Sequence, residues 1–550
     1  MARRPELLAV LLVALVVRSA NVWLTARLPV AEYQLRWGES DMATAWEWSG
    51  RIVAGDLLCR DTVHQYTAWM RDIAPLATWE RWWGGKGVYH QAPLHAYALA
   101  AMRAVAGDGF LAIALAQMFL GLASVALVFL LAERCFGRAA ATLAGLGATL
   151  YGPFLLFETL VLRDTIGVTT SLVLLWALAR AADGGAGRWL AAGLLFAVAV
   201  LARETTLALG PFVLLWIGQR AGWRPVPAAA MLGPFAVGAA AGLLPLVTRN
   251  LAVGVAPWAL STRGLEAFVY GHAAGGSPVG LALPPAAQSI LEGADGDAGA
   301  ALRLTLASWN EDWAGLLGQE LLRLRAMVAG YEAPDNASWY YFADRLPVLR
   351  CSLGFAPVVA LGLVGLAVAE RRADDRILRY FLLSAVIGLE FSMVIGRYRL
   401  PAAAVLLVYA GGALAWLGRQ GVRGRWWPVV LTTAAAVALA LVSAHALGAT
   451  ARRHRYRTAE YLLAGEHHYR HGDLARSLAE LEDGLAHAYR GPDQRTLPPG
   501  YVTLIEPLVR IYQERGRPAD AVPVLARLAA DYPDDADLRA LIAALSGAGG

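Results

Sequence analysis

From Phe110 to Ala132 the chain reads FLAIALAQMFLGLASVALVFLLA, a long run with no charged residue, and similar runs recur along most of the first 450 positions. A helix of about 20 such residues crosses the roughly 30 Å hydrocarbon core of a bilayer. Lipid offers no partner for loose backbone groups, so these stretches are expected to be helices. With 57% hydrophobic and 17% charged residues over 550 positions, an ordinary soluble fold is excluded. The expectation is an all-α, polytopic membrane protein of about 11 spans. Those spans fall near 7–28, 110–132, 139–157, 165–181, 189–202, 205–219, 227–247, 353–369, 377–395, 401–417 and 428–448.

The start, MARRPELLAVLLVALVVRSANVW, has the basic opening of a signal peptide. No A-x-A-like site follows, however, and Arg18 interrupts the apolar run, so it reads as an uncleaved first span. Alternation from there puts Arg134/Arg138, Arg180/Arg188, Arg220/Arg224, Arg371/Arg372 and Arg419/Arg423/Arg425 on one side, the positive-inside pattern. The first outer loop, about 29–92, and a second, about 251–348, then share the opposite side. The basic run ARRHRYR (451–457) falls on the outer side as well, which calls for a different span count or for contact with anionic headgroups. Cys59, Cys135 and Cys351 make neither a disulfide framework nor a metal-binding spacing.

The first outer loop is where chemistry is expected. Seven of the chain's 19 tryptophans lie in it (Trp37, Trp46, Trp48, Trp69, Trp79, Trp82 and Trp83), and they fit interfacial anchors better than a stacking floor for a sugar. Within it Asp41 follows Ser40 at the head of an amphipathic stretch. Position alone fits a helix cap and also a general base for an incoming hydroxyl. The outer ends of later spans carry Glu158, Asp164, Arg203, Glu204, Arg249, Arg397 and Arg399. Such charges are costly near a membrane and mark either a paired network or a function. Guanidinium suits phosphate through its bidentate fork, so carboxylates with arginines at a lipid boundary suggest a lipid-phosphate leaving group. His90 and His95, around Pro93, are a weak pointer to a divalent metal ion; no other cofactor is indicated.

Taken in order, IVAGD (52–56), HQAPLHAY (90–97), ERCFGR (133–138), FETLVLRD (157–164), LARETT (201–206), TRN (248–250) and GRYRLP (396–401) resemble the GT-C membrane glycosyltransferases. The resemblance is to their PMT-like branch, the bacterial protein O-mannosyltransferases and aminoarabinose transferases. It implies a GT-C-like domain over 1–450 that moves a sugar from a polyprenyl-phosphate donor to a lipid, glycan or protein acceptor. Transfer would occur with inversion, at the outer face of a bacterial cytoplasmic membrane. It also implies Asp41 as the catalytic carboxylate, Glu158 and Asp164 as acceptor-orienting acids, and Arg397, Arg399, Arg203 and Arg249 as phosphate ligands. Gln91-Ala92-Pro93 departs from the lysine-proline-proline of aminoarabinose transferases, which removes one phosphate contact. A carrier of lipid-linked glycan, a membrane-anchored repeat scaffold, and a glycan polymerase or ligase are the competing readings.

From about 456 to 547 the pattern turns soluble and helical. Two segments superpose on Gly472 and Gly516, each a helix, a glycine turn and a second helix, and resemble tetratricopeptide repeats. Such a domain, expected on the outer face, would bind a protein partner or the acceptor.

Overall fold

The structure is a computed structural model, and it describes residues 4–60, 62–280, 283–368, 370, 374–448, 451, 455–488 and 495–547. Arg371, Arg372, Arg452, Arg453 and Asp61 lie outside the described residues. Helices dominate, and among the described residues the only extended pairings are two isolated bridges, Tyr151 with Leu353 and Val279 with Val394. Among the described residues, five helices are long and apolar enough to cross a membrane: Pro5–Thr25, Phe110–Phe136, Pro225–Val253, Gly396–Val422 and Trp426–His445. The protein is a multi-pass membrane protein of all-α class.

Each of the other expected spans contains a helix, but a shorter one, from the 11 residues of Gly210–Arg220 to the 18 of Asp164–Ala181. The differences have local causes. The span expected at 139–157 breaks at Leu150, because Tyr151 turns extended to pair with Leu353 and Pro153 starts the next short helix, Gly152–Phe157. The one expected from 205 is a 3-10 turn over Glu204–Leu209 before Pro211 opens Gly210–Arg220. The one expected to reach 395 stops at Glu390, and Val394 instead pairs with Val279 of the second loop.

The helix Leu400–Val422 is the central post. It packs against Phe355–Val368 on one side and Arg138–Leu150 on the other, while Ala186–Ala202 and Pro225–Val253 form a second tight pair. The residues expected at one end of the spans do meet there in ion pairs: Arg4–Glu133 at 3.2 Å, Arg134–Asp183 at 2.5 Å and Arg220–Asp374 at 3.3 Å. The helix Trp426–His445 leaves nearly all its apolar surface outward, including Val430, Leu431, Val437, Leu441 and Val442, as a lipid-facing helix does.

The tryptophans of the first loop correct the sequence reading. Trp79, Trp82 and Trp83 are buried with Met70, Ile73, Tyr270, Ile290 and Leu291 in a core of their own, made jointly by the two long loops. Trp79 donates through Nε1 to Met70 O at 2.9 Å, and Trp83 to Glu266 at 2.5 Å. They hold the loops to each other and are not interfacial anchors. Two long polar loops can fold stably only by building such a satellite core, and large rings bury the most area per residue.

Beyond residue 457 come the helices Thr458–Arg470, Leu474–Ala486, Pro499–Glu514, Val522–Asp531 and Ala536–Gly547. Gly472 and Gly516 sit at the turns with φ +76° and +68°, backbone that glycine adopts without strain.

Candidate functional site

Ser40 is the N-cap of the helix Asp41–Val53: its Oγ accepts from Ala43 N at 3.0 Å. That leaves the Asp41 carboxylate, one residue further, without a capping duty. It is buried and receives Arg397 at 2.6 Å, Asn336 Nδ2 at 2.9 Å and Arg263 at 3.4 Å. Its backbone N–H donates to Asn336 Oδ1 at 2.7 Å, so Asn336 clasps the residue from both sides. Burial pushes the Asp41 carboxyl up, but Arg397 and Arg263 outweigh it and hold the group well below the ordinary carboxylate range.

Arg397 stands on a 3-10 turn, Gly396–Arg399, at the head of the central post. It joins three carboxylates: Asp41, Asp164 at 3.3 Å, and Asp335 in a very short contact. Asp164 in turn pairs with Arg203 at 2.9 Å, and Arg163 pairs with Glu204 at 2.8 Å. Asp41, Asp164, Arg203 and Arg397, scattered over more than 350 positions, thus form one buried network.

Two cavities meet at this network. One, of about 600 Å³, is walled mainly by apolar side chains such as Leu265, Phe268, Leu302, Phe381 and Leu389, with Arg163, Arg203 and Arg263 at one end. The other, of about 540 Å³, is polar and aromatic and contains Asp41, Asp335, Asn336 and Arg397. Arg163, Arg263 and Tyr398 line both.

Other expected site residues lie elsewhere. Glu158 is buried against Arg18 of the first helix, at 2.8 Å and 2.9 Å, and lines neither large cavity. The residue that interrupts the first apolar run is there to neutralise it. Arg249 is spent on the carbonyls of Leu58, Cys59 and Gly87 and stacks over Tyr89 at 4.0 Å. Arg399 donates to the carbonyls of Ala326, Ala329 and Tyr331 and pairs with Glu332 at 2.9 Å. Both arginines pin the long loops to the spans, and neither lines the two cavities. Sequence reasoning passed over Arg263, Asp335 and Asn336. Proline-aspartate-asparagine before an aromatic helix reads as an ordinary turn, and Arg263 as a surface charge in a long loop.

No group of three or more His, Cys, Asp or Glu is arranged to hold a metal ion among the described residues. Asp41, Asp164 and Asp335 all pair with the Arg397 guanidinium. His90 faces Thr262 Oγ1 at 3.5 Å and lies edge-on to His64 at 5.6 Å; burial, then Arg263 and His64, push its imidazole well below the ordinary value. His90 and His95 do not fit a metal site built with these acids.

Residues 90–245 match the family model described as dolichyl-phosphate-mannose-protein mannosyltransferase. The likeness to that family lies within these residues. No curated protein matches the sequence. Among solved structures, the chain is similar to an oligosaccharyltransferase of Archaeoglobus fulgidus, in complex with Zn and sulfate, at 16% identity and TM-score 0.45. That match covers 80% of this chain and 52% of the other. ArnT from Cupriavidus metallidurans, bound to undecaprenyl phosphate, is similar at 15% identity and TM-score 0.42, covering 95% of this chain and 80% of that one. Oligosaccharyltransferase AglB from Archaeoglobus fulgidus, with an inhibitory peptide and a dolichol-phosphate, is similar at 14% identity and TM-score 0.42, covering 88% and 58%. The chain thus spans about half the length of the first of these, with 52% covered.

Proposed function

We propose that this protein is a membrane glycosyltransferase that takes a sugar from a polyprenyl-phosphate-linked donor. The observation that carries this is the pair of cavities, one apolar and one polar, meeting at Arg163, Arg263 and Tyr398 beside Asp41. An isoprenoid tail suits the apolar cavity, and its phosphate would sit among Arg163, Arg203 and Arg263. The sugar then lies at the junction, with the acceptor approaching through the polar cavity. The PMT-like match over residues 90–245 supports the same donor class.

In the proposed step an acceptor hydroxyl oxygen attacks the anomeric carbon from the face opposite the phosphate. The bond from that carbon to the phosphate oxygen breaks and its electron pair stays on the phosphate. The hydroxyl proton passes to the Asp41 carboxylate, and configuration inverts. Guanidinium groups stabilise the charge that grows on the leaving oxygen. Asp41 clamped by Arg397 and Arg263 is a weak base, so attraction of Arg263 to the donor phosphate raises its basicity when the donor arrives. Asn336, held to Asp41 on two sides, keeps the carboxylate aimed through that change. Arg249, Arg399 and Glu158 act as structural ties in this scheme.

The arginine-rich ends of the spans support placing the site on the outer face of a cytoplasmic membrane, with the C-terminal domain on that side. Protease access to a C-terminal tag in inverted and right-side-out vesicles tests the orientation. The activity is tested with the purified full chain and a polyprenyl-phosphate-linked hexose in the presence of source-membrane extract. Loss of the donor with appearance of polyprenyl phosphate is expected; a donor that stays intact refutes the reading.

A further inference from the structure

The C-terminal helices are docked to both segments that build the Asp41 site. On one side, Ser338 donates through Oγ to Arg455 O at 2.5 Å and through N to Glu460 at 2.8 Å. Arg345 bridges to Glu480 at 2.7 Å and Asp483 at 3.0 Å, and stacks over Tyr341 at 3.7 Å. These contacts fall on the helix Trp339–Arg345 and its cap Ser338, two residues beyond Asn336. On the other side, Thr458–Arg470 packs on Pro29–Tyr33, and Arg470 lies over Tyr33 at 5.6 Å. Glu460 is fully buried in this joint, with Arg457 at 3.4 Å as a partner. A buried charge is tolerated only where its partners are fixed, so this is a rigid seat and not a tether.

One consequence is that the appended domain contributes to the polar cavity. Tyr456 and Arg457 line it together with Asp41 and Asp335, with the Arg457 guanidinium 5.4 Å from the Trp37 ring. The cavity is lined by the rings of Trp37, Trp69 and Tyr456 and by the amides of Gln65 and Asn336, which are themselves held by Glu39, Arg263, Asp41 and Asp335. A sugar has the complementary surface, with an apolar face of C–H groups that lies on aromatic rings and a rim of hydroxyls that pair with amides, carboxylates and guanidinium. One way to hold an extended peptide is through its backbone, along a free strand edge. The extended backbone at this cavity, around Val279 and Val394, is already paired with itself.

We propose that Tyr456 and Arg457 of the C-terminal helical domain, together with Trp37, form the acceptor subsite of the polar cavity, and that the acceptor they bind is a carbohydrate. This rests on the glycosyltransferase reading above. It makes the appended helices part of the acceptor site.

The test uses the full chain in detergent with a radiolabelled polyprenyl-phosphate-linked hexose and two probe acceptors, a free hexose trisaccharide and a Ser/Thr-containing octapeptide. Label is expected on the trisaccharide. Arg457→Ala should raise the KM for the trisaccharide at least ten-fold, with a smaller change in kcat, and Arg457→Lys should recover part of the loss. Arg476→Ala, on the exposed flank of the same domain, is the control and should match the wild type. Label on the peptide and not on the trisaccharide overturns the acceptor class. An unchanged KM in Arg457→Ala overturns the subsite. Failure of the wild type to consume donor with either probe or with membrane extract removes the glycosyltransferase reading itself, and the subsite with it.

Discussion

Asp41→Asn is the most informative single change, because the structure separates its catalytic cost from its structural cost. Asparagine keeps the size and one acceptor oxygen but cannot take a proton from an acceptor hydroxyl. Loss of a general base lowers rates by about 10²–10⁴-fold, or roughly 3–5 kcal/mol of barrier at about 1.4 kcal/mol per factor of ten. Removing one member of an isolated buried ion pair costs about 3–5 kcal/mol of stability. Here the cations are not left alone. Arg397 keeps Asp164 and Asp335, and Arg263 keeps Glu266 at 3.7 Å and a hydrogen bond to Gln65 at 2.6 Å. The structural loss should therefore be smaller, about 1–2 kcal/mol, close to the cost of one charged hydrogen bond. The expected outcome is a melting temperature within a few degrees of wild type, with donor consumption down at least one hundred-fold. The assay is release of polyprenyl phosphate from the labelled donor, alongside a thermal melt in the same detergent. A folded Asp41→Asn protein that keeps more than a tenth of wild-type transfer would falsify the assignment of Asp41 as base.

Three further outcomes follow from the same geometry. Arg397→Gln removes the cation that most strongly opposes the effect of burial on Asp41. Because the wild-type carboxyl is held below its ordinary range, activity persists as pH falls, and in the variant the acid limb of the pH–rate profile should move up toward the ordinary carboxylate value; an unmoved limb refutes the coupling. Burial and the neighbouring Glu390 carboxyl, against Arg323, push Glu320 from its ordinary 4.5 up to about 7. Its contribution to stability is then fully present below about pH 4.5 and lost as pH rises through about 7, so Glu320→Gln should flatten the melting temperature across that window, and a slope equal to wild type counts against it. Arg18→Leu strands the buried Glu158 and should cost about 3–5 kcal/mol, most of it regained in Arg18→Leu/Glu158→Leu; a double variant no more stable than the single one contradicts the pairing.

The sequence by itself determined that the chain is a bundle of apolar helices, since uncharged runs such as 110–132 have no other stable form in lipid. It also singled out Asp164, Arg203 and Arg397 through their position at span ends, and Asp41 as the acid at the head of an amphipathic stretch in the first long loop. The helical tail with turns at Gly472 and Gly516 was equally readable, because left-handed backbone at a turn selects glycine. Tertiary structure alone decided which charges touch. Nothing in composition or periodicity tells Arg397, which reaches Asp41, from Arg399 two residues on, which is consumed by loop carbonyls; the difference is a turn of one 3-10 step. Nor could local pattern show that Arg18 neutralises Glu158 across 140 positions, or that the loop tryptophans make a core. Long-range pairing depends on how helices pack, and a charge at a span end carries no record of its partner. The same holds for the loop that opens the first outer segment: its acid was legible from the start, but its setting, with Asn336 around it and Arg457 across the cavity, belongs to the fold.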